Sequence, residues 1–279
     1  YSHGCWLNDC LFLIVLSISW KNGYGMSSFQ TVEVIGVPIA RIRMTELFES
    51  IHLHIQSNGS CKQICITPVN SLLAANNDQS VSKVYQNAHL VLCDGMPVKW
   101  ASHLLGNPVP ERITGLDLLP SLLQAANKHS YRLFLLGAAP GVGDQLAKYI
   151  QTNFPKAYVV GVYVPPYRKV FSEEESAAML RAIEDAKPHI VLVSLTAPKQ
   201  DIWIAEHLNR IKANWAIGIG GAFEVTAGLI PRAPRWMQQN GLEWLFRFYQ
   251  EPKRLFKRYF IEAPLFIPLV MVQVIRKLF

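Results

Sequence analysis

Short apolar runs alternate with longer amphipathic segments along most of the chain after Val32. Continuous apolar runs of this length predict strands that are buried on both faces, and the segments between them predict helices. This alternation is typical of an α/β fold, a Rossmann-like parallel sheet with helices on both faces. The predicted strands are QICIT ending at Thr67, HLVLC ending at Cys93, RLFLLG ending at Gly137, YVVGVY, HIVLVSL and WAIGIG.

A hairpin and several helices complete the predicted body. The segment VEVIGVPIARI predicts an N-terminal β-hairpin that turns around 36–38. Ser172 and Glu175 form a capping box, which predicts the start of a helix that ends before Pro188. Other helices are predicted over 71–88, 96–105 and 116–129.

The pattern changes after Gly228, where prolines interrupt helical, aromatic and basic sequence. We expect an α/β body over 26–228 and a set of short helices over 229–279 that forms an appendage. The apolar stretch Ala263 to Ile275 is too short to span a bilayer and ends in two basic residues. This pattern predicts a helix that lies on a membrane surface.

The first 25 residues are interpreted separately. Leu11 to Ile18 is an apolar run without the basic flank or cleavage site of a signal peptide, and Met26 reads as an ordinary start. We expect residues 1–25 to be a non-native or upstream segment, with a short membrane-associating leader as the alternative.

Charge is concentrated near the C-terminus. The chain carries 27 basic and 20 acidic residues, a net charge of +7, and nine of the basic residues but only three acidic ones lie in 229–279. Such a patch predicts binding to phosphates of a lipid or a nucleic acid. The five cysteines form no CxxC pair, which favours reduced cytosolic thiols.

Candidate ligand-binding residues follow the predicted strands, because parallel sheets bind ligands beyond the carboxyl ends of their strands. Asp94 comes directly after a buried strand and before a glycine, where it could act as a general base or cap the next helix. The sequence alone leaves both roles open. The remaining candidates at strand ends are Thr67, Asn70, Gly137, Gln200, Gly218, Gly220 and Gly221.

Two kinds of phosphate-binding group are predicted. The glycine-rich turn in IGIGGAFEVTAG could present backbone N–H groups to a pyrophosphate, or it could be a tight turn without a ligand. Arginine side chains among C-terminal aromatics could bind phosphate at a membrane, or form a solvated helix face. These arginines are Arg232, Arg247, Arg254 and Arg258.

Several motifs are absent from the sequence. It contains no D-x-D, no P-loop, no G-x-S-x-G, no HExxH and no cluster of cysteine and histidine. We therefore expect no metal and no cofactor. The glycines of LLGAAPGVG lack the spacing of a dinucleotide fingerprint.

Seven segments, in order, make the chain resemble the WecG/TagA/CpsF glycosyltransferase family, which is glycosyltransferase family 26. They are TPVN, LCDGMPVKW, RITGLDLLP, LLGAAPG, APKQDIW, GIGGAFEVTAGLIPRAPRW and GLEWLFRFYQEPKRLFKRY.

The resemblance implies an inverting hexosyltransferase, of the N-acetylmannosaminyltransferase type, that uses a UDP-sugar and a polyprenyl-pyrophosphate-linked acceptor. It implies Asp94 as the base, a UDP-sugar pocket around Thr67, Asn70, Gln200 and the glycine turn, and acceptor pyrophosphate on the C-terminal arginines. It also implies a bacterial enzyme of cell-surface polysaccharide synthesis, such as that of teichoic acid or exopolysaccharide. Such an enzyme is peripheral to the inner face of the cytoplasmic membrane and does not bind nucleic acid.

Two departures from the family's pattern concern Thr67, which Pro68 and Val69 separate from Asn70, and Asp201, where relatives carry glutamate. Two other functions stay open at this stage: a nucleotide-binding oxidoreductase and a non-catalytic binder of membrane or nucleic acid. The donor sugar, the linkage and the number of subunits, including a homo-oligomer, are not decided by the sequence.

Overall fold

The computed structural model describes residues 29–279, of which 31–279 form one compact unit. The predictions for residues 1–25 fall outside the described residues. Residues on both sides of the boundary predicted at residue 228 belong to the same compact unit. This boundary stays a prediction.

A six-stranded sheet of parallel strands lies at the centre of the described chain, with the order β4-β3-β8-β7-β5-β6. Every predicted strand is confirmed, and so is the antiparallel N-terminal hairpin of β1 and β2. The strands are β1 Thr31–Val34, β2 Val37–Ala40, β3 Lys62–Thr67, β4 Leu90–Cys93, β5 Arg132–Gly137, β6 Tyr158–Tyr163, β7 Ile190–Ser194 and β8 Trp215–Gly218.

Helices cover both faces of the sheet, as the alternation of the sequence predicts. In the body they are α1 Met44–Gln56, α2 Val69–Asn77, α3 Gln79–Asn87, α4 Met96–Leu104, α5 Gly115–His129, α6 Val142–Asn153, α7 Glu173–Ala186, α8 Lys199–His207 and α9 Ala222–Thr226. The capping box at Ser172 and Glu175 is present and starts α7.

The helix predicted over 71–88 is two helices. Asp78 ends α2 and caps α3, because its side chain accepts a hydrogen bond from the backbone N–H of Ser80 at 2.8 Å. An aspartate that bonds the backbone two residues ahead favours a helix start over a helix interior. The apolar periodicity continues across this break, so the sequence pattern concealed it.

The C-terminal segment differs from the predicted set of short helices. It contains α10 Arg235–Gln239 and α11 Glu243–Gln250. Then one helix runs from Pro252 to Leu278, 27 residues with a mean hydropathy of 1.5 over its most apolar 18. By length and composition it could cross a membrane, which corrects the expectation that its apolar part is too short. Within it lie α12 Pro252–Phe256, a π-helical turn Lys257–Glu262, a 3₁₀ turn Ala263–Leu265 and α13 Phe266–Leu278.

One face of this terminal helix packs on the α/β body. Phe266 and Val270 are buried in the same apolar cluster as residues of the hairpin, β4 and α4. The Gln273 side chain bonds the hairpin backbone at Glu33 O and Ile35 N, both at 2.9 Å. A helix with these contacts lies along the body, and its other face is apolar and exposed.

Candidate active site

Three of the candidate strands are neighbours, which places their ends at one edge of the sheet. Thr67 pairs with Cys93, the residue before Asp94, and Gly218 ends the strand on the other side of β3. Since adjacent strands lie about 4.8 Å apart, β4 and β8 are separated by about 10 Å. Asp94 and the glycine turn therefore lie on opposite sides of Thr67, at a distance suited to one sugar nucleotide.

Asp94 does not cap the helix that follows it. The cap of α4 is Gly95, whose φ is +96°, and no side chain caps this helix. Among the described residues, the Asp94 carboxylate accepts no hydrogen bond and forms no ion pair within 4 Å. The structure thus gives no support to the capping role that the sequence left open.

Burial raises the pKa of Asp94 to about 6. Positive charge on Arg258 and Arg112 opposes this increase, and negative charge on Asp117 and Glu243 adds to it. The residue is partly exposed to solvent, so a substrate can reach it. A carboxylate that ionises near pH 6 is mostly charged at neutral pH and is a stronger base than an ordinary aspartate.

Two of the candidate residues, at the end of β3 and the start of α2, carry buried polar atoms that have no partner among the described residues. These atoms are Oγ1 of Thr67, whose side chain is fully buried, and Oδ1 of Asn70. The backbone of Thr67 accepts a hydrogen bond from the N–H of Asp94 at 3.4 Å. Buried polar atoms in proteins are nearly always hydrogen-bonded, so these two atoms are typical of a site that binds a polar ligand.

The turn over 218–221 is supported from below by Gln200. The Gln200 side chain is buried, and its Oε1 accepts the N–H of Gly220 at 3.1 Å. A Cβ at Gly218 would lie 2.7 Å from Gln200 Nε2, so a larger residue there would displace the Gln200 side chain. The geometry thus favours a supporting role for Gln200 over direct contact with the sugar nucleotide. The hydrogen bond to Gln200 also occupies the N–H of Gly220, which is one of the N–H groups that were predicted to face a pyrophosphate.

A second carboxylate, that of Asp201, lies next to Gly218 of the same turn but is not exposed to solvent. Asp201 is fully buried and accepts a hydrogen bond from the hydroxyl of Tyr85 at 3.0 Å. Burial raises its pKa to about 7. Because its surroundings are the core, we assign it to the support of the turn, whereas Asp94 is partly exposed to solvent.

Gly137 has a structural reason to be glycine. Its φ is +101°, and a Cβ there would lie 2.4 Å from the carbonyl oxygen of Ser194 on β7. The close approach of β5 to β7 is sufficient to require glycine at position 137, whether or not a ligand binds there. Its predicted contact with the UDP-sugar stays a prediction.

Three of the four predicted arginines fall into two groups, and Arg232 is in the first. Its guanidinium donates to Glu243 at 2.8 Å, to the carbonyl of Leu116 at 3.0 Å and to Asp117. Arg112 extends this network to the same two carboxylates, at 3.5 and 3.8 Å. The geometry does not support the prediction that Arg232 binds the acceptor pyrophosphate, because its donors already bind acceptors that join α5 to the C-terminal segment.

Arg247 and Arg258 form the second group, without ion pairs or side-chain hydrogen bonds among the described residues. A Cβ at Gly221 would lie 3.6 Å from a guanidinium nitrogen of Arg247, so this arginine borders the glycine turn. The charge of Arg258 acts on Asp94. Arg254 is intermediate, because Glu251 binds two of its nitrogens.

Tyr259 marks the place where these groups converge, and sequence reasoning did not identify it as a site residue. Burial raises the pKa of its phenol, positive charge on three arginines opposes this, and the negative charge of Asp94 adds to it. The three arginines are Arg258, Arg247 and Arg254. The C-terminal segment therefore brings cationic side chains close enough to Tyr259 and Asp94 to act on their pKa values.

Other residues of the site were also missed. Arg112, Asp117 and Glu243 surround Asp94 electrostatically, and Glu224 has a buried carboxylate oxygen without a partner near the glycine turn. Their positions depend on contacts between segments more than 100 residues apart, such as Arg232 with Asp117. The RITG motif begins with Arg112 and ends two residues before Asp117. It is the one sequence signal that could have indicated these residues.

Within residues 29–279, no group of three or more histidine, cysteine, aspartate or glutamate side chains is arranged to hold a metal ion. The expectations of metal-independent catalysis and of no cofactor are not tested by this and stay predictions.

The chain matches the Glycosyl transferase WecG/TagA/CpsF family over residues 32–278. It is 28% identical over 231 residues to the N-acetylglucosaminyldiphosphoundecaprenol N-acetyl-beta-D-mannosaminyltransferase of Staphylococcus aureus strain MRSA252, with 82% of this chain and 88% of the relative covered. The proteins of the same description from strains MW2 and NCTC 8325 are 27% identical over the same shares.

Fold and family agree on an enzyme of the glycosyltransferase class. The chain belongs to the WecG/TagA/CpsF family, as the seven segments predicted. This membership sets aside the oxidoreductase and the non-catalytic binder that the sequence had left open.

Proposed function

We propose that this glycosyltransferase moves an N-acetylmannosamine-type sugar from a UDP-sugar to a polyprenyl-pyrophosphate-linked N-acetylglucosamine. The acceptor is that of the relatives, whose names specify N-acetylglucosaminyldiphosphoundecaprenol. The observation that carries the proposal is Asp94, a partly exposed carboxylate at the end of β4 whose pKa is raised by burial and on which the charge of the unpaired Arg258 acts.

Asp94 is the general base of the proposed reaction. It takes the proton from the acceptor hydroxyl as the oxygen forms a bond to the anomeric carbon of the donor. The bond from that carbon to the diphosphate oxygen breaks at the same time, and UDP leaves with the electron pair. Attack from the face opposite UDP inverts the anomeric configuration.

The leaving diphosphate and the acceptor diphosphate both require positive charge. Arg247 borders the glycine turn and is therefore suited to the donor's diphosphate, whereas Arg258 lies near Asp94 and is suited to the acceptor's. Arginine side chains that bind where negative charge develops lower the barrier. Arg254 contributes charge, although Glu251 neutralises part of it.

Thr67 and Asn70 provide the polar contacts that orient the sugar between base and diphosphate. Both carry buried oxygen atoms without a partner among the described residues, on the β3 side of Asp94. A hydroxyl and an amide there would select hydroxyl and acetamido groups of the donor, since sites with unmet polar groups discriminate strongly.

The terminal helix supports a peripheral location at the inner face of the cytoplasmic membrane. Its inner face binds the body through Gln273 and Phe266, and its outer face carries exposed apolar side chains. An amphipathic helix with basic residues at its end lies in the plane of a membrane surface. The exposed side chains are Phe256, Phe260, Ile261, Leu265, Ile267, Met271, Val272, Ile275 and Leu278.

UDP release tests the proposal. Purified full-length protein is incubated with a panel of UDP-sugars, with and without a short-chain prenyl-pyrophosphoryl-N-acetylglucosamine, and the disaccharide product is identified by mass spectrometry. We expect release that depends on acceptor and is fastest with UDP-N-acetylmannosamine. Release with no dependence on acceptor, or with none of the UDP-sugars, contradicts the proposal. A parallel series with a chelator tests the predicted independence of metal.

A further inference from the structure

Helix α4, which directly follows Asp94, presents an exposed apolar face that the proposed reaction does not use. Trp100 is 58% exposed and Leu104 is 60% exposed. They are four residues apart, so they lie on one side of the helix, and Val98, Ala101 and Leu105 bury the other side. A large aromatic and a leucine exposed together on one face are typical of an interaction surface.

The C-terminal end of this face lies beside the end of the terminal helix. The ammonium group of Lys277 donates to the carbonyl of Leu105 at 2.6 Å, which joins the end of α4 to the end of α13. The buried sides of the two helices also share one apolar cluster, through Leu105 and Val270 among others. Two helices that bury their inner sides in one cluster expose their outer sides next to each other.

The charge of this surface fits an anionic partner. Helix α4 has the sequence MPVKWASHL, with one lysine, one histidine and no acidic residue. At the junction with α13, Arg276 and Lys277 add two positive charges. Tryptophan beside basic residues is typical of the boundary between headgroups and acyl chains in a bilayer.

The distance to Asp94 favours a bilayer over a protein partner. Trp100 is six residues from Asp94, at most about 13 Å away given the helical rise and the extended reach of the chain. A base that takes a proton from a sugar hydroxyl, on an acceptor whose diphosphate lies at the membrane surface, must lie within about this distance of the headgroups. Insertion of Trp100 would place it there.

We infer that α4 is a second membrane-contacting element, which inserts Trp100 and Leu104 among anionic phospholipid headgroups next to the terminal helix and thereby sets the height of Asp94 above the bilayer. The inference rests on the proposed function, since that function places the acceptor in a membrane.

Vesicle binding tests this directly. The full chain is sedimented with vesicles of phosphatidylglycerol and phosphatidylethanolamine, and with vesicles of phosphatidylcholine alone. We expect Trp100→Gln with Leu104→Gln to lower the partition coefficient on anionic vesicles by about tenfold or more, given the apolar area removed. The matched control is Leu53→Gln on α1, because Leu53 is also a helical leucine and is 51% exposed.

A second measurement uses the unaltered protein, so that it does not depend on the folding of a variant. Hydrogen exchange with and without anionic vesicles is expected to slow at the amides of 99–105 and to stay unchanged over 44–56. Unchanged partition of the double variant, or no protection of 99–105, overturns the inference. A dimer that forms without lipid and is lost in the double variant also overturns it, since a second copy would then be the partner.

Activity with a water-soluble acceptor separates the two proposals. Short-prenyl acceptor does not require a membrane, so the double variant is expected to release UDP at the rate of the unaltered protein. If no protein releases UDP, the proposed function fails while the vesicle data still decide the role of α4.

Discussion

The charged residues around Asp94 form two sets, one whose members are paired with each other and one whose members are unpaired. Arg232 and Arg112 are paired with Asp117 and Glu243, and these ion pairs join the C-terminal segment to α5. The positive charge of Arg258 lowers the pKa of Asp94, yet the two groups are more than 4 Å apart and unpaired among the described residues. Paired charges therefore maintain the architecture, and unpaired charges remain free for substrates.

The largest expected effect is that of Asp94→Asn on turnover. The amide has the shape of the carboxylate but cannot accept the proton, and loss of a general base typically costs about 10²–10⁴-fold in rate, so we expect about 10³-fold lower kcat. UDP release measures turnover, and calorimetry measures the affinity for UDP, which should change little. Asp144→Asn, on the exposed first turn of α6, is the matched control. Turnover by the Asp94→Asn protein at the rate of the control would remove Asp94 from the mechanism.

Arg258→Gln is expected to come next, with a loss of about 10- to 100-fold in kcat/KM, mostly through acceptor binding. A charge-assisted contact to a phosphate is worth about 1.5–3 kcal/mol, which corresponds to this range. Steady-state kinetics with varied acceptor provide the measurement, and Arg181→Gln on α7 is the control. Equal losses in both variants would mean that only overall charge matters.

Arg232→Met should affect stability instead. It leaves the carboxylates of Glu243 and Asp117, which are 10% and 28% exposed, with Arg112 as the sole remaining cation of the network among the described residues. Removal of one partner from such a partly buried network is expected to lower the free energy of unfolding by about 2–3 kcal/mol. Urea denaturation compares this variant with Arg258→Met, which should be nearly neutral. The reverse order would contradict the division into two sets.

The pH profile gives the smallest but most specific effect. Because Asp94 must be ionised and its pKa is about 6, kcat/KM should fall as pH decreases below 6 and reach about one tenth of its plateau at pH 5. Arg258 lowers this pKa, so Arg258→Gln should move the midpoint to higher pH. Arg181→Gln should leave it in place. A midpoint near pH 4 in the unaltered enzyme would show that burial of Asp94 does not govern its ionisation.

Periodicity was sufficient to predict the sheet, the hairpin and the capping box, because these depend on local patterns of burial and hydrogen bonding. It did not predict the break at Asp78, where one side-chain hydrogen bond ends a helix inside a continuous apolar pattern. Prolines concealed the continuous terminal helix, because Pro264 and Pro268 lie within it and π and 3₁₀ turns absorb the disruption.

The candidate site was predicted in its outline but not in the roles of its residues. Strand ends indicated Asp94, Thr67 and the glycine turn correctly as neighbours, since the edge of a parallel sheet brings such residues together. The sequence could not separate Arg232 from Arg258, because that distinction depends on partners distant in sequence. Similarly, glutamine at position 200 looks the same whether it faces a ligand or supports a turn.

The two hydrogen bonds from the Gln273 side chain to the hairpin backbone affect how shortened forms of this enzyme should behave. Its side-chain amide occupies backbone groups at the rim of the hairpin, which would otherwise be available to a neighbouring molecule's strand. Deletion of the terminal helix would also strip Phe266 and Val270 from the cluster beneath. Chains that end at Leu242 should therefore self-associate through the exposed hairpin strand and the exposed apolar cluster. Such chains would lose activity because they aggregate, even before detachment from lipid has an effect.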